Sequence, residues 1–444
     1  MPNSLRQILE LRELDAPRGL VRIPPELDVP LTPRVRAIVD SEAFQRLSTI
    51  SQLGLVSLVY PAAHHSRFEH SLGVYRLALM YLRQLSLDDT FVQRVSVDQA
   101  ERFLVAALLH DVGHWPFCHL IEDLGLPGFE RHEALARHCL TEGELAEVLE
   151  RHWGMPGAEV ADLLDQVSDD PASRILQSMI SGPIDVDKMD YLMRDSLHAG
   201  VPYGRNFDQA RLISSLCLNA AGDGIALTEK GRTAIEMMVF ARYVMFSEVY
   251  WHHTVRSATA MLQRAFLEVH ERLDRPWIFH TSDDEFVRHF RSRAEGTPAQ
   301  RLLDGLFGRR RSLYKRWIQY SGFEEPSLHS QLARQPYARL VDCSAHLAER
   351  MARQLGRPIE PHQVLIDAPP FQLEVQFAID LFNPKEGGYR RLEDLSPVVK
   401  TLATTQFNEY VKRVRVFVDP EIAADARSLQ RPLDLLQEAI HATG

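Results

Sequence analysis

The sequence predicts a mainly α-helical protein, with a large helical core and a smaller α+β lobe at the C-terminal end. Three observations carry that expectation. Through the first three quarters of the 444 residues, apolar side chains recur at three- and four-residue steps, the period of a helix with a buried face. Beyond Pro336 the pattern changes to short runs of Val, Ile, Leu and Phe that read as strands. With 45% hydrophobic and 25% charged residues the composition is that of an ordinary globular chain, long enough for two or three domain-sized units. The expected division is a helical core over 1–330 and a lobe over 331–444 that serves oligomerisation or regulation.

Taken in order, "DSEAFQRLSTISQLG" places Phe44, Leu47 and Ile50 at helical spacing and stops at Gly54. "RFEHSLGVYRLALMYLRQL" continues with Leu72, Leu77, Met80 and Leu82. "ERFLVAALLHD" is apolar on every face from Phe103 to Leu109, the mark of a helix sunk in a core. "GPIDVDKMDYLMRDSLHAG" opens at Pro183 and closes at Gly200. A hairpin is expected near 213–230, turning at Gly222-Asp223-Gly224, followed by a long helical stretch from Thr233 to about Leu273. Residues 275–330 read as charged helical pieces and loops. In the lobe, "HQVLIDAPP", "FQLEVQFAIDLF" and "VKRVRVFVD" read as strands, and "NPKEGGYRRL" as a turn or loop.

No apolar run approaches the roughly 20 residues that span a bilayer, and the charged N-terminal segment lacks the apolar centre of a secretory signal. Four cysteines (Cys118, Cys139, Cys217, Cys343) form no CxxC pair, so neither a disulfide framework nor a thiolate zinc site is expected, and a cytoplasmic setting fits. The net charge of −10 argues against a general nucleic-acid binder, which needs a lysine and arginine excess. The run Arg309–Arg311 reads as solvated surface, with a polyanion contact as the alternative.

The histidines carry the chemistry. Eight of the 19, at 64, 65, 70, 110, 114, 119, 132 and 138, fall within residues 64–138, a dense patch of a residue suited to metals and proton transfer. In "LLHDVGHWPFCH" the pair His110-Asp111 ends an all-apolar helix, where an unpaired carboxylate would cost several kcal/mol. His70 lies three residues after Arg67, so the two share a helix face. In "DVDKMDYLMRD", Asp187, Tyr191 and Asp195 recur at four-residue steps, with Lys188 beside them. That stripe can also be read as an exposed ion-pair face joining Asp187 and Asp190 to Arg194.

With the stretches "FQRLSTISQLG", "HHSRFEHSLGV", "LLHDVGHWPFCH", "DVDKMDYLMRD" and "ARYVMFSEVYWHH", the sequence resembles the HD-domain metal-dependent phosphohydrolases. More narrowly, it resembles the deoxynucleoside triphosphate (dNTP) triphosphohydrolases, bacterial forms and the vertebrate enzyme with a sterile-alpha-motif domain among them. The resemblance spans residues 40 to 253.

It implies an HD-domain helical core in which His70, His110, Asp111 and Asp187 hold a divalent metal. Two imidazoles and two carboxylates suit Mg, Mn, Fe, Ni or Zn. The implied reaction is attack of metal-activated water on the α-phosphorus, giving a deoxynucleoside and inorganic tripolyphosphate. His119 matches the family's general acid, with Glu122 where the family usually has an aspartate; His132 matches a further member of that relay. Arg67, His114, Lys188 and Arg242 match phosphate contacts, as a triphosphate of about four negative charges requires, and Tyr191 matches a phosphate-side hydroxyl. Asp195 and Gln52 match groups reaching the sugar 3′-hydroxyl, and Tyr250 and Leu53 the packing that excludes a 2′-hydroxyl. Asp40 and Gln45 match the pattern of relatives activated by a guanine nucleotide, but Ser48 stands where those have a basic residue. The implied partners are a dNTP substrate, a nucleotide effector and further copies of the chain, as a dimer or homotetramer. Two other readings stay open: a different HD phosphohydrolase, either a nucleotide phosphatase or a phosphodiesterase, and a non-catalytic nucleotide sensor or nucleic-acid-binding protein.

Overall fold

A computed structural model describes residues 4–14, 19–333, 335–368 and 378–443. The chain forms two compact units, interleaved along the sequence. The first comprises Met1–Pro116, Arg131–Met245 and Val375–Leu402, the second Phe117–Glu130, Phe246–Glu374 and Ala403–Gly444. The sequence reading, by contrast, drew one boundary at 330/331. Both units are predominantly helical, as expected, and among the described residues no helix is long and apolar enough to cross a membrane.

The first unit is organised around the Val97–Leu109 helix, whose start is fixed by a reciprocal cap: the Ser96 hydroxyl accepts from the Gln99 N–H, and the Gln99 amide oxygen accepts from the Ser96 N–H. Every residue from Phe103 to Leu109 is fully buried. Removing side chains such as Phe103, Leu104 and Leu108 from water contributes about 1.5–3 kcal/mol each. The Arg67–Leu85 helix packs on it, capped by the Ser66 hydroxyl, and the Val186–His198 helix packs on Arg67–Leu85 in turn. Asp185 caps that third helix by accepting from the Lys188 N–H at 2.7 Å. These three helices bring the chemistry-bearing residues of this unit together.

The expected hairpin forms from Leu216–Leu218 and Ile225–Thr228, turning with Gly222 at φ 66°. It is extended into a four-stranded sheet by Asp380–Asn383, parallel to Ile225–Thr228, and then by Gly388–Arg391. The expected turn in "NPKEGGYRRL" forms, with Gly387 at φ 65° closing a hairpin, but its second half departs from the turn-or-loop reading: the polar Gly388–Arg391 segment is an edge strand with little to bury. Of the strand expected at "FQLEVQFAIDLF", residues 371–377 lie outside the described residues, and Asp380–Asn383 is extended.

The second unit contains an antiparallel sheet with Arg413–Val418 at its centre, flanked by Lys315–Ser321 and Val364–Asp367. Lys315–Ser321 is a strand that the sequence reading left among helices and loops; its half-exposed residues lack a clean alternation. The Tyr337–Leu355 and Pro432–Ala442 helices close the core, with Leu347, Met351, Val364, Val414, Val416 and Leu436 fully buried.

Two expected helices are shorter than the apolar spacing suggested. "DSEAFQRLSTISQLG" is α-helical only over Glu42–Arg46, then tightens to a 3₁₀ turn at Leu47–Thr49. The helical stretch expected from Thr233 to Leu273 is helical as read but interrupted: the first helix ends at Met245, passes through a π-helical turn at Phe246–Tyr250, and a new helix runs His253–Val269. The break has a local cause: the His252 ring accepts from the Thr254 N–H at 3.2 Å, capping the second helix at its start.

Candidate metal centre

His70 projects from the first turn of Arg67–Leu85, His110 from the C-terminal end of Val97–Leu109, and Asp187 from the first turn of Val186–His198. Their ligand atoms meet within 4.8 Å of one another. His70 Nε2 stands 3.0 Å from an Asp187 oxygen and 3.3 Å from His110 Nε2, and His110 Nε2 lies 3.8 Å from the same Asp187 oxygen. Asp111 closes one side, 3.4 Å from His110 Nε2 and 4.0 Å from His70 Nε2.

The outer nitrogens fix the tautomers. His70 Nδ1 donates to Asp190 at 2.8 Å, and His110 Nδ1 donates to the Ala107 carbonyl at 3.0 Å. In the neutral rings both Nε2 atoms are therefore lone pairs, directed at each other and at a carboxylate. Three electron-pair donors facing one another need a positive partner, either a proton shared between His70 Nε2 and Asp187 or a bound cation. Two imidazole nitrogens with carboxylate oxygens form a donor set that fits a divalent cation, and outer hydrogen bonds of this kind are what orient imidazole ligands. Burial alone would lower the His70 imidazole, but the Asp187 and Asp190 carboxylates outweigh it and push it up to about 10. Asp111 is held well below the usual carboxylate range: burial opposes its charge, and His114, His110 and Arg67 overcome that opposition.

The turn after His110 is built to hold this geometry. Arg46 donates to the carbonyls of His114 at 2.7 Å and Val112 at 2.9 Å, satisfying acceptors that a helix end leaves open. Gly113 lets the turn sit directly on the His132–Thr141 helix, since a Cβ there would stand 2.1 Å from the His132 carbonyl oxygen. The His114 ring lies 4.0 Å from the His132 ring, and His114 Nδ1 is 3.2 Å from an Asp111 oxygen.

The residues matched to phosphate contacts are engaged with protein groups. Arg67 donates to Asp111 at 2.7 Å, and Lys188 Nζ pairs with Asp185. Arg242 is buried on the Arg232–Met245 helix. Burial pushes the Tyr191 hydroxyl far above its ordinary range, while Arg242 opposes that rise. Asp195 is buried and paired with His65 Nε2 at 2.8 Å. Gln52 donates its backbone N–H to the His65 carbonyl at 2.9 Å, and its side-chain oxygen is buried with no hydrogen-bond partner among the described residues. Leu53 is half-buried beside it in sequence. Ser48 donates to the Gln45 carbonyl, and the Gln45 amide donates to the Val39 carbonyl.

His119, Glu122 and Tyr250 belong to the second unit. There the His119 ring, 57% exposed, stands 3.8 Å from Glu122, beyond hydrogen-bond distance, and Tyr250 packs edge-on against Phe246. Sequence reasoning missed Glu69, His65 and His198 as groups around His70 and Asp195. It also offered the Asp190–Arg194 pair as exposed, whereas both are buried. The available signal was Gly73, a glycine inside a strongly apolar helix facing that pair.

Residues 67–194 match the HD domain, and residues 207–438 match the HD-associated region. An uncharacterized protein of Methanocaldococcus jannaschii is 31% identical over 384 residues, covering 85% of this chain and 75% of that protein. The deoxynucleoside triphosphate triphosphohydrolase SAMHD1 of Gallus gallus is 30% identical over 300 residues, covering 60% of this chain; the chain spans about half of that relative's length, 46%. The crystal structure of a hypothetical protein from Aquifex aeolicus superposes with a TM-score of 0.70 at 26% identity, covering 92% of this chain and 99% of that one. The chain belongs to the HD-domain phosphohydrolase family, its HD domain followed by an HD-associated region.

Proposed function

We propose that this protein hydrolyses dNTPs, consuming one water and releasing the deoxynucleoside and inorganic tripolyphosphate. The observation that carries this reading is the convergence of His70, His110 and Asp187 beside Asp111 and Arg67. The similarity to a dNTP triphosphohydrolase supports the choice of substrate. His70, His110, Asp111 and Asp187 would hold the divalent cation, which supplies Lewis acidity towards water and neutralises phosphate charge.

The chain's own residues then divide the remaining work. Arg67 carries a planar guanidinium suited to phosphate oxygens, and in this proposal it exchanges part of its bond to Asp111 for the substrate. Arg242 and Lys188 add positive charge, and Tyr191 a hydroxyl on the phosphate side. Gln52 and Asp195 are proposed to reach the sugar 3′-hydroxyl, which donates its single hydrogen to one of the two acceptors and can itself accept from the Gln52 amide N–H. An acceptor left unpaired by the wrong sugar costs about 1–3 kcal/mol, so such groups discriminate. The roles of His119, Glu122, His132 and Tyr250, an effector nucleotide, and an assembly or regulatory role for residues 331–444 rest on the sequence resemblance.

The test is product analysis. Each of the four dNTPs is incubated with purified protein and Mg²⁺ or Mn²⁺, alone and in mixtures, and followed by ³¹P NMR. Tripolyphosphate is the expected product; release of only monophosphate or pyrophosphate, or no turnover in any combination, contradicts the reading.

A further inference from the structure

The buried groups behind His70 form a continuous chain. Asp190 Oδ2 accepts from His70 Nδ1 at 2.8 Å and from Arg194 Nε at 2.7 Å, while Asp190 Oδ1 accepts from Arg194 Nη2 at 2.8 Å. Arg194 Nη1 continues to Glu69 Oε1 at 2.6 Å and to the Pro24 carbonyl at 3.2 Å. The same Glu69 oxygen accepts from His198 Nε2 at 2.9 Å. His198 stacks on His65, with centroids 4.3 Å apart and planes within 13°, and His65 reaches Asp195 at 2.8 Å. Arg194 and Asp190 are 3% and 5% exposed. The network has space because residue 73 is glycine: a Cβ there would lie 2.0 Å from Asp190 Oδ1 and 2.3 Å from Arg194 Nη2.

A buried carboxylate and guanidinium are costly to desolvate, and a well-packed apolar pair is often as stable or more so. Burying them beside an imidazole whose opposite nitrogen faces the donor cluster has a directional consequence. Asp190 Oδ2 can accept from both His70 Nδ1 and Arg194 Nε only if His70 keeps its proton on Nδ1. That leaves the Nε2 lone pair aimed at Asp187 and His110.

We propose that Asp190, Arg194 and Glu69 act as one positioning unit for His70, fixing the tautomer and ring direction that the divalent-cation site needs. This inference rests on the metal reading of the site. None of the three belongs to the proposed ligand set; Glu69 acts only through Arg194. The unit also extends, through His198 and His65, to Asp195 at the proposed sugar end.

The experiment titrates Mn²⁺ into the nucleotide-free full chain by calorimetry and by the electron paramagnetic resonance signal of free Mn²⁺, with urea unfolding of the metal-free proteins alongside. Asp190→Asn can offer His70 an acceptor or a donor and so no longer specifies one tautomer. It is expected to weaken Mn²⁺ about 10–100-fold, as loss of an outer partner does at other metal sites. Glu69→Gln is expected to weaken it several-fold, and the double variant about as much as Asp190→Asn alone, because Glu69 reaches His70 only by way of Arg194 and Asp190. Should Asp190→Asn fail to fold, Glu69→Gln decides the matter. Wild-type Mn²⁺ affinity in either folded variant overturns the inference, as do additive losses in the double variant. A wild-type protein that binds no Mn²⁺ removes the metal reading and this inference with it, so the two failures are distinguishable.

Discussion

Arg67 and Asp111 form a buried ion pair, Nη1 to Oδ2 at 2.7 Å, on the rim of the His70–His110–Asp187 cluster. The pair joins a residue matched to phosphate binding to one matched to metal binding, so its two halves have separable consequences. Arg67 neutralises part of the site's negative charge before any substrate arrives.

Arg67→Gln should therefore separate cation binding from turnover. Losing a charge-assisted contact to phosphate costs about 1.5–3 kcal/mol, equivalent to roughly a 10- to 100-fold fall in kcat/KM for dNTPs. Mn²⁺ affinity should hold or rise, because Asp111 loses its competing cation. Steady-state kinetics and Mn²⁺ titration on the same preparation check this. A parallel collapse of cation affinity would show that Arg67 supports the fold of the site instead.

Gly73→Ala should be far more damaging than an ordinary helix substitution. Alanine is the better helix former by about 1 kcal/mol, yet its methyl would occupy the position of the Asp190–Arg194 pair. Overpacking costs about 1–3 kcal/mol and separating a buried pair about 3–5 kcal/mol. Urea unfolding should show a net loss of at least about 2 kcal/mol. A gain in stability would mean that the two helices can move apart freely.

In the second unit, Asp367 accepts both nitrogens of the Arg256 fork, at 3.0 and 2.5 Å, with Arg415 Nη1 4.0 Å away. Asp367→Asn leaves buried guanidinium charge without its acid and should cost about 3–5 kcal/mol. Unfolding monitored from tryptophan fluorescence would register it, Trp251 lying 5.0 Å from the Arg256 guanidinium. A loss below about 1 kcal/mol would mean that water replaces the acid.

The Arg301–Asp419 pair gives a pH prediction. Burial opposes charge on Asp419, but the Arg301 fork, at 2.5 and 2.9 Å, overrides it and holds the carboxyl below its ordinary range. A depressed folded pKa stabilises above the unfolded value, about 3.9, and that stabilisation is lost as pH falls through the folded value. Arg301→Gln should thus be less stable than the wild type at pH 7, with the difference shrinking below about pH 4. A gap independent of pH would assign the effect to packing.

Much of the helical core was legible because its signals are local. Ser96 with Gln99, Ser66 before Arg67 and Asp185 before Val186 are caps written in single residues. The unbroken apolar run Phe103–Leu109 allows only a buried helix, and the polar groups at its end then require partners. What escaped the sequence was non-local or two-sided. The Lys315–Ser321 strand is defined by pairing with Arg413–Val418, nearly a hundred positions away, and its half-exposed side chains carry no period-two signal. The break after Met245 depends on one histidine turning back onto a backbone N–H, which apolar spacing does not report. The Asp190–Arg194 pair reads the same on a solvated face as in a core; only Gly73, on another helix, distinguishes the two.

The most direct test is anomalous diffraction at the manganese edge from crystals soaked in Mn²⁺. The account predicts one strong peak at coordination distance from His70 Nε2, His110 Nε2 and an Asp187 oxygen, about 2 Å as zinc makes to the same donors, with Asp111 completing the set. A saturating soak that leaves no density among these side chains, or seats the ion elsewhere, would contradict it.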